Sequence, residues 1–369
     1  MKKFICFAII LFFYATVQSM EENNRALFKA AYEKNCVLVH QLLASGADST
    51  LFEGVGELKQ KTPEEKKELL FQAVTDGNTL HVKRLLLAGA DSNAFKDWYG
   101  SPLYIAAEKG HADCAKVLLM AGADKEIVFK KGSTRHTPLH RAANGGHAPC
   151  VDLLLKAEAN PTSFNENGFM PIHVAASGGC TDCVSLFLAA GLDVDILTRD
   201  GSTPLDRAAF CGHLQCLNFL LQKGARADRV EEDGWTPLHS IGLNCTSEEE
   251  LECARLLLKA GANPDIHHQQ NLLTPLGYAA LHGRHEFLKL ILAAGVNKNP
   301  RNFCGRTPLH HAACGKREAS EESLAECVRT LLEAGADYTL MDDKGRTAGD
   351  VARTDIARAI FDEFMSKQN

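Results

Sequence analysis

An all-α stacked-repeat fold is predicted for this 369-residue chain, and three observations carry the prediction. A proline recurs in phase: Pro102, Pro138, Pro171, Pro204, Pro237, Pro275 and Pro308 stand 36, 33, 33, 33, 38 and 33 residues apart. A fixed period in this range marks small supersecondary units that bury their apolar faces against one another. Around each proline much the same string returns, as in Thr203-Pro204-Leu205-Asp206-Arg207-Ala208-Ala209, then Gly212-His213 and Leu217 to Leu221. Within each unit the apolar residues recur twice at i, i+3 and i+4, the spacing of an amphipathic helix.

At the N-terminus, Lys2-Lys3, an apolar run from Phe4 to Val17 and Gln18-Ser19-Met20 read as a cleavable export signal over residues 1–19. The run is shorter than the roughly 20 residues that cross a bilayer, so no membrane segment is expected after its removal. Loss of Lys2 and Lys3 moves the net charge from −6 to about −8, which argues against nucleic acid as partner. Residues 20–49 trace an atypical first repeat, Ala26 to Ala31 and Leu42 to Asp48, of the kind that caps a stack. Residues 50–67 break the period with Gly54, Gly56 and a charged run from Lys59 to Lys67. They are read as a charged insertion, an extended loop leading into a helix that starts at Thr62-Pro63-Glu64-Glu65.

Repeats fill residues 68–344, and from Gly100 they are regular. In each, Ser or Thr can cap the first helix and proline sets its first turn. Paired alanines such as Ala106-Ala107 and Ala175-Ala176 admit a close neighbour. Gly110, Gly146, Gly179, Gly212 and Gly283 end the first helix where a left-handed residue is needed. Asn167-Gly168, Asp200-Gly201 and Asp233-Gly234 mark hairpin tips between repeats. Insertions at 244–250 and 316–323 fall between the two helices of a repeat and are expected to project from one face. Residues 345–369, where Ala348 replaces the proline, form a C-terminal capping half-repeat.

Thr137-Pro138-Leu139-His140-Arg141-Ala142-Ala143, Gly146-His147 and Leu153-Leu154-Leu155 resemble the T-P-L-H-x-A-A, G-H and leucine string of the ankyrin repeat family. The likeness runs from about Ala26 to Phe361. It implies an ankyrin-repeat solenoid of helix-turn-helix units with β-hairpin tips. It also implies structural roles for His140, His173, His239 and His310, and for His111, His147 and His213, as bonds between adjacent turns. Tyr104, Asp206 and Gly277 replace the first class of histidine and are expected to loosen those turns.

Cys114, Cys150, Cys183 and Cys216, four of thirteen cysteines, each follow their proline by 12 residues, at the start of the second helix. Stacked helices lie roughly 8–10 Å apart, beyond the about 7 Å that a disulfide tolerates between Cα atoms, so these are read as core thiols. Cys180-Thr181-Asp182-Cys183 spells C-x-x-C, but no second pair and no βαβ context accompany it. A Cys180–Cys211 bridge across successive turns is the alternative use of those thiols. Phosphate-binding loops, nucleophile elbows and His-Glu-x-x-His are absent from the sequence, and Asp200 and Asp233 are turn residues by type. No catalytic, cofactor or metal site is expected.

Recognition of another protein remains. By the resemblance, the hairpin tips and the open side of the first helices line a concave face. Those positions hold Trp98, Tyr99, Arg135, Phe169, Arg199, Phe210, Trp235, Leu281, Phe303 and Arg306, with Leu243 and Leu273 beside them. Aromatic residues and arginine are enriched among interface anchors. The sequence therefore reads as a monomeric, exported, non-enzymatic scaffold for an unidentified protein partner. The alternative is an intracellular scaffold or an enzyme inhibitor using the same groove.

Overall fold

The computed structural model describes residues 22–30, 33, 49–97, 99–131, 134–231, 233–316 and 318–368. The predicted leader, most of the first repeat and Trp98 lie outside the described residues. Contacts divide the chain into two compact units, residues 1–166 and 167–369.

In the first unit, residues 22–30 are helical and bury Leu27, Phe28 and Ala30. The stretch expected as an extended loop is folded instead. Ser49–Phe52 makes a 3-10 turn and Val55–Gln60 a short helix. Leu51 of the turn and Val55 and Leu58 of the helix are buried, an apolar set that the glycines and charges obscure in the sequence. The Arg84 guanidinium donates to the Thr50 carbonyl at 2.8 Å and ties the segment to the helix Thr79–Leu87. Pro63–Thr75 opens as expected, with a capping box in which the Thr62 N–H donates to Glu65 Oε2 at 2.8 Å. First helices Pro63–Thr75, Pro102–Lys109 and Pro138–Asn144 pack in one row, and second helices Thr79–Leu87, Ala112–Met120 and Ala148–Lys156 in another. Phe129–Lys131 pairs antiparallel with Thr134–His136, the one two-stranded ladder among the described residues.

The second unit repeats the plan. Pro171–Ser177, Pro204–Phe210, Pro237–Asn244, Pro275–His282 and Pro308–Cys314 form the first row. Thr181–Ala189, Leu214–Gln222, Glu248–Lys259, His285–Ala293 and Glu321–Glu333 form the second, and Asp355–Gln368 covers its end with Ala357, Ile360 and Phe361. The alanine pairs of the first row are buried. One repeat has Ile241-Gly242 in their place, where a Cβ on Gly242 would stand 2.8 Å from the Pro275 carbonyl oxygen and 3.1 Å from Phe287.

Among the described residues, the hairpin tips of this unit are turns, with one isolated bridge between Met341 and Thr347, rather than ladders. Gly201 and Gly234 take φ of 91° and 87°, and the turns are closed by bonds from the Thr198 N–H to Ser202 O and the Glu231 N–H to Trp235 O, both 2.9 Å, with the Gly201 and Gly234 N–H groups donating to Thr198 O and Glu231 O. Backbone groups that would extend a ladder bond from tip to tip instead: the Arg199 N–H reaches Gly168 O at 3.0 Å and the Gln269 N–H reaches Asp233 O at 2.6 Å. The insertions also fold back rather than simply project. Glu250 accepts from the Thr246 and Ser247 N–H groups at 2.6 and 2.9 Å while its side chain covers Gly212. The Lys316 N–H donates to Leu281 O at 3.0 Å, and Ala319 and Ser323 lie against Gly283.

The thiol column is buried, with Cys114 and Cys150 in the first unit and Cys183 and Cys216 in the second. Cys253 and Cys327 extend it, having been shifted out of phase by the insertions. Burial pushes the Cys150 thiol up to about 11 and those of Cys216, Cys253 and Cys327 up to about 12.

Candidate partner-binding surface

The tips are held by the histidines. Nδ1 of His140, His239 and His310 lies 2.8, 2.8 and 2.9 Å from the hydroxyl of Thr137, Thr236 and Thr307. Nε2 of His239 and His310 lies 3.2 and 3.0 Å from Leu273 O and Arg346 O in the following repeat, and Nε2 of His173 lies 2.9 Å from Ile196 O. A carbonyl only accepts, so Nε2 carries the proton and Nδ1 accepts from the threonine. Burial lowers His173 and His239 to about 4, which keeps this neutral form. His111, His147 and His213 reach back instead, with Nε2 3.1, 3.0 and 2.8 Å from Thr75 O, Glu108 O and Ser177 O.

Where histidine is replaced, the turns are not left loose as expected. Tyr104 is buried with the Arg141 guanidinium 5.5 Å from its ring centre. Leu273 packs against Gly277, and its burial removes it from the expected surface. Asp206 assumes the cap, Oδ2 accepting from the Thr203 N–H at 2.8 Å and hydroxyl at 2.6 Å. Its Oδ1 is buried and lacks a hydrogen-bond partner among the described residues, and burial pushes the carboxyl up to about 6. Beside it, Glu231 Oε1 accepts from the Ser202 hydroxyl at 2.8 Å. Burial pushes Glu231 up to about 7, the Ser202 bond opposing and Asp206, Asp233 and Asp200 adding to the rise. Asp200 and Asp233 act as turn partners, of the Thr198 hydroxyl and of His268 Nε2 at 3.3 Å.

In the first unit Tyr99 is 62% exposed, 5.9 Å from the Lys96 ammonium, and Arg135 is exposed with its backbone N–H on Glu166 at 2.6 Å. In the second unit the Arg207 guanidinium lies 4.5 Å from the Phe169 ring centre and 5.1 Å from that of Phe210. Arg207 Nε donates to Ser177 Oγ at 3.1 Å, which fixes the stack. Phe210 is 38% exposed and Phe169 half-buried. Arg199 is exposed and lays its side chain over Gly168.

Trp235 is not an open anchor. Its indole N–H donates to Ser240 Oγ at 2.8 Å, and its ring centre lies 5.2 to 5.4 Å from those of Tyr278, His268 and His239. Leu243 and Leu281 are half-buried, and Phe303 is 60% exposed. Arg306 is engaged by Asp342 at 3.4 Å. The sequence reading missed Arg207, Ser240 and Tyr278. All three occupy the unspecified fifth letter of T-P-L-H-x-A-A, the one letter there that stacking leaves open.

An open cleft of about 340 Å³ at the 244–250 insertion mixes Glu248 and Glu286 with Arg284 and His285 and favours no charge sign. Among the described residues, no cluster of histidine, cysteine and carboxylate side chains could hold a metal ion, and no helix is long and apolar enough to cross a membrane.

In each unit, two rows of paired helices, the first row mostly capped by serine or threonine and several of its turns bonded by histidine, define a repeat protein built to display side chains. The sequence matches family models described as ankyrin repeats over residues 27–129 and 243–342, and over 139–188, 172–221 and 212–240. The chain belongs to the ankyrin repeat family. It is 39% identical over 113 residues to the E3 ubiquitin-protein ligase KEG of Arabidopsis thaliana, a stretch making up 31% of this chain and 6% of that protein. It is 38% identical over 126 residues to protein phosphatase 1 regulatory subunit 12A of Rattus norvegicus, 33% of this chain and 11% of that one. This chain thus spans only a small part of either relative. The crystal structure of the ankyrin repeat domain of Bcl-3 aligns with a TM-score of 0.50 at 28% identity, covering 63% of this chain and all of that one. Ankyrin repeats are protein-interaction modules, and the likeness to the ligase lies in its repeats.

Proposed function

We propose that this protein is a non-enzymatic adaptor whose second unit binds a partner protein through the surface carrying Phe169, Arg207 and Phe210. The carrying observation is the guanidinium lying over two aromatic rings, one of them 38% exposed. Such a group offers apolar area and fixed donors at little entropic cost, as interface anchors do. Phe303, three repeats further along, is a second exposed aromatic residue of the unit. Residues 1–19 are read as a leader, so the partner is met after export. N-terminal sequencing of the native protein tests this, with Met20 as the expected first residue and an intact Met1 against it.

The binding test is a proximity-labelling fusion at the C-terminus, expressed in the native cell, followed by mass spectrometry. Enrichment of one or two proteins, lost in Phe210→Ala with Phe303→Ala, supports the reading. A labelling pattern unchanged by both substitutions refutes it. Trp235 is unsuitable for this test, because its removal would strip a packed cluster and confuse folding with binding. The alternative, an intracellular scaffold, draws support from the column of buried thiols, which persist in reducing compartments.

A further inference from the structure

Cys180-Thr181-Asp182-Cys183 takes no part in the binding surface, and the repeat pattern does not require it. At the place of Cys180 three other repeats carry His111, His147 and His213, whose rings reach the carbonyl of a preceding turn. Cys180 instead caps the helix Thr181–Ala189, its Sγ accepting from the Cys183 N–H at 3.3 Å. The two thiols interact, and burial, with Cys180 beside it, drives the Cys183 thiol far up. Their exposure differs: Cys180 is half-exposed while Cys183 is fully buried. The His213 ring covers Gly179 immediately before the pair.

We propose that Cys180 and Cys183 form a redox-active dithiol that exchanges with low-molecular-weight disulfides such as glutathione disulfide. Each sulfur has a distinct role. Cys180, the half-exposed thiol of the pair, is the attacking group. Its sulfur bonds to one sulfur of the small disulfide, whose S–S bond breaks and releases one thiolate. Cys183, within reach and shielded from solvent, is the resolving group. It gives its proton to the departing thiolate and attacks Cys180 Sγ, expelling the second small thiolate, which takes up from water the proton that Cys180 released on attack. Two protein thiols are oxidised to one disulfide and the small disulfide is reduced to two thiols.

The test uses the full chain, incubated with glutathione disulfide, alkylated and digested with trypsin. The fragment Ala157–Arg199 contains Cys180 and Cys183 and no other cysteine. In the wild type it is expected to be lighter by two hydrogens and to carry neither alkyl group nor glutathione. Cys183→Ser is expected to retain glutathione on Cys180. Cys180→Ser, which keeps an oxygen at the cap, is expected to do neither. Exposed Cys304 reports in every sample that the reagent is active. The proposal is overturned if both cysteines of the wild type are alkylated while Cys304 carries glutathione. Glutathione persisting on wild-type Cys180, or a Cys180–Cys211 bond, overturns it equally. The wild-type measurement stands whether or not a variant folds.

Discussion

Asp206→Asn should stabilise the protein, and the gain should depend on pH. Asp206 is only 4% exposed, and one of its oxygens finds no hydrogen bond among the described residues. Its carboxyl rises from 3.8 to about 6 on folding, chiefly because burial disfavours the charge. A raised value means that the fold favours the protonated acid. The burden is therefore absent below pH 3.8, grows as the pH rises and is complete above about 6. At about 1.4 kcal/mol per pKa unit the full cost is on the order of 3 kcal/mol. Asparagine keeps an acceptor for the Thr203 cap and carries no charge.

The variant should thus exceed the wild type by about 3 kcal/mol at pH 7.5 and by under about 1 kcal/mol at pH 4. Buried His173 and His239, lowered to about 4, destabilise both proteins as the pH falls below 6.5, and this cancels in the difference. Glu231, pushed up to about 7 in part by Asp206, is relieved in the variant and broadens the change toward neutrality. Urea unfolding followed by circular dichroism gives the difference. Hydrogen exchange in Pro204–Phe210 localises it, because repeat arrays need not unfold in one step. A gap that is flat between pH 4 and 7.5, or wider at pH 4, would refute the burial argument.

Two further substitutions probe the fold. Gly242→Ala places a Cβ 2.8 Å from the Pro275 carbonyl oxygen, a backbone atom that cannot swing away. It should lose about 1–3 kcal/mol in urea unfolding despite alanine's better helix propensity, the reverse of the gain expected in an open helix. Leu58→Asp strips a buried residue from the folded 49–60 segment and should cost about 2–4 kcal/mol, whereas exposed Lys59→Asp should stay within about 0.5. Equal small effects would mean that the segment is not docked.

The architecture was largely legible because stacking imposes its own period. Proline at the first turn, small residues at the helix contact and glycine at the helix end each answer a steric demand that recurs in every unit. What the period does not govern was misread. Leu51, Val55 and Leu58 are buried across a turn and a short helix, but two glycines and a charged run hide the pattern. Hairpins were expected at Asp200-Gly201 and Asp233-Gly234 because local turn chemistry favours them. Neighbouring tips claim those backbone groups instead, and no local pattern encodes that competition. Trp235 looked like an anchor by residue type alone. Its partners Ser240 and Tyr278 lie in helices whose registry appears only once the repeats are stacked.

The individuality of the molecule therefore lies where a residue escapes the demand of the stack. At the fifth letter of T-P-L-H-x-A-A the residue type varies from repeat to repeat, and there Arg207 lies over two aromatic rings beside the buried alanines. The G-H position tolerates cysteine because the helix can take its cap from a sulfur. Asp206 is the costlier kind of departure. It preserves the cap bonds of histidine but cannot supply the Nε2–H donor, so one oxygen is left buried and the carboxyl held toward its protonated form. A repeat chosen for stability alone would carry histidine there, and Asp206→Asn measures how far this one departs from it.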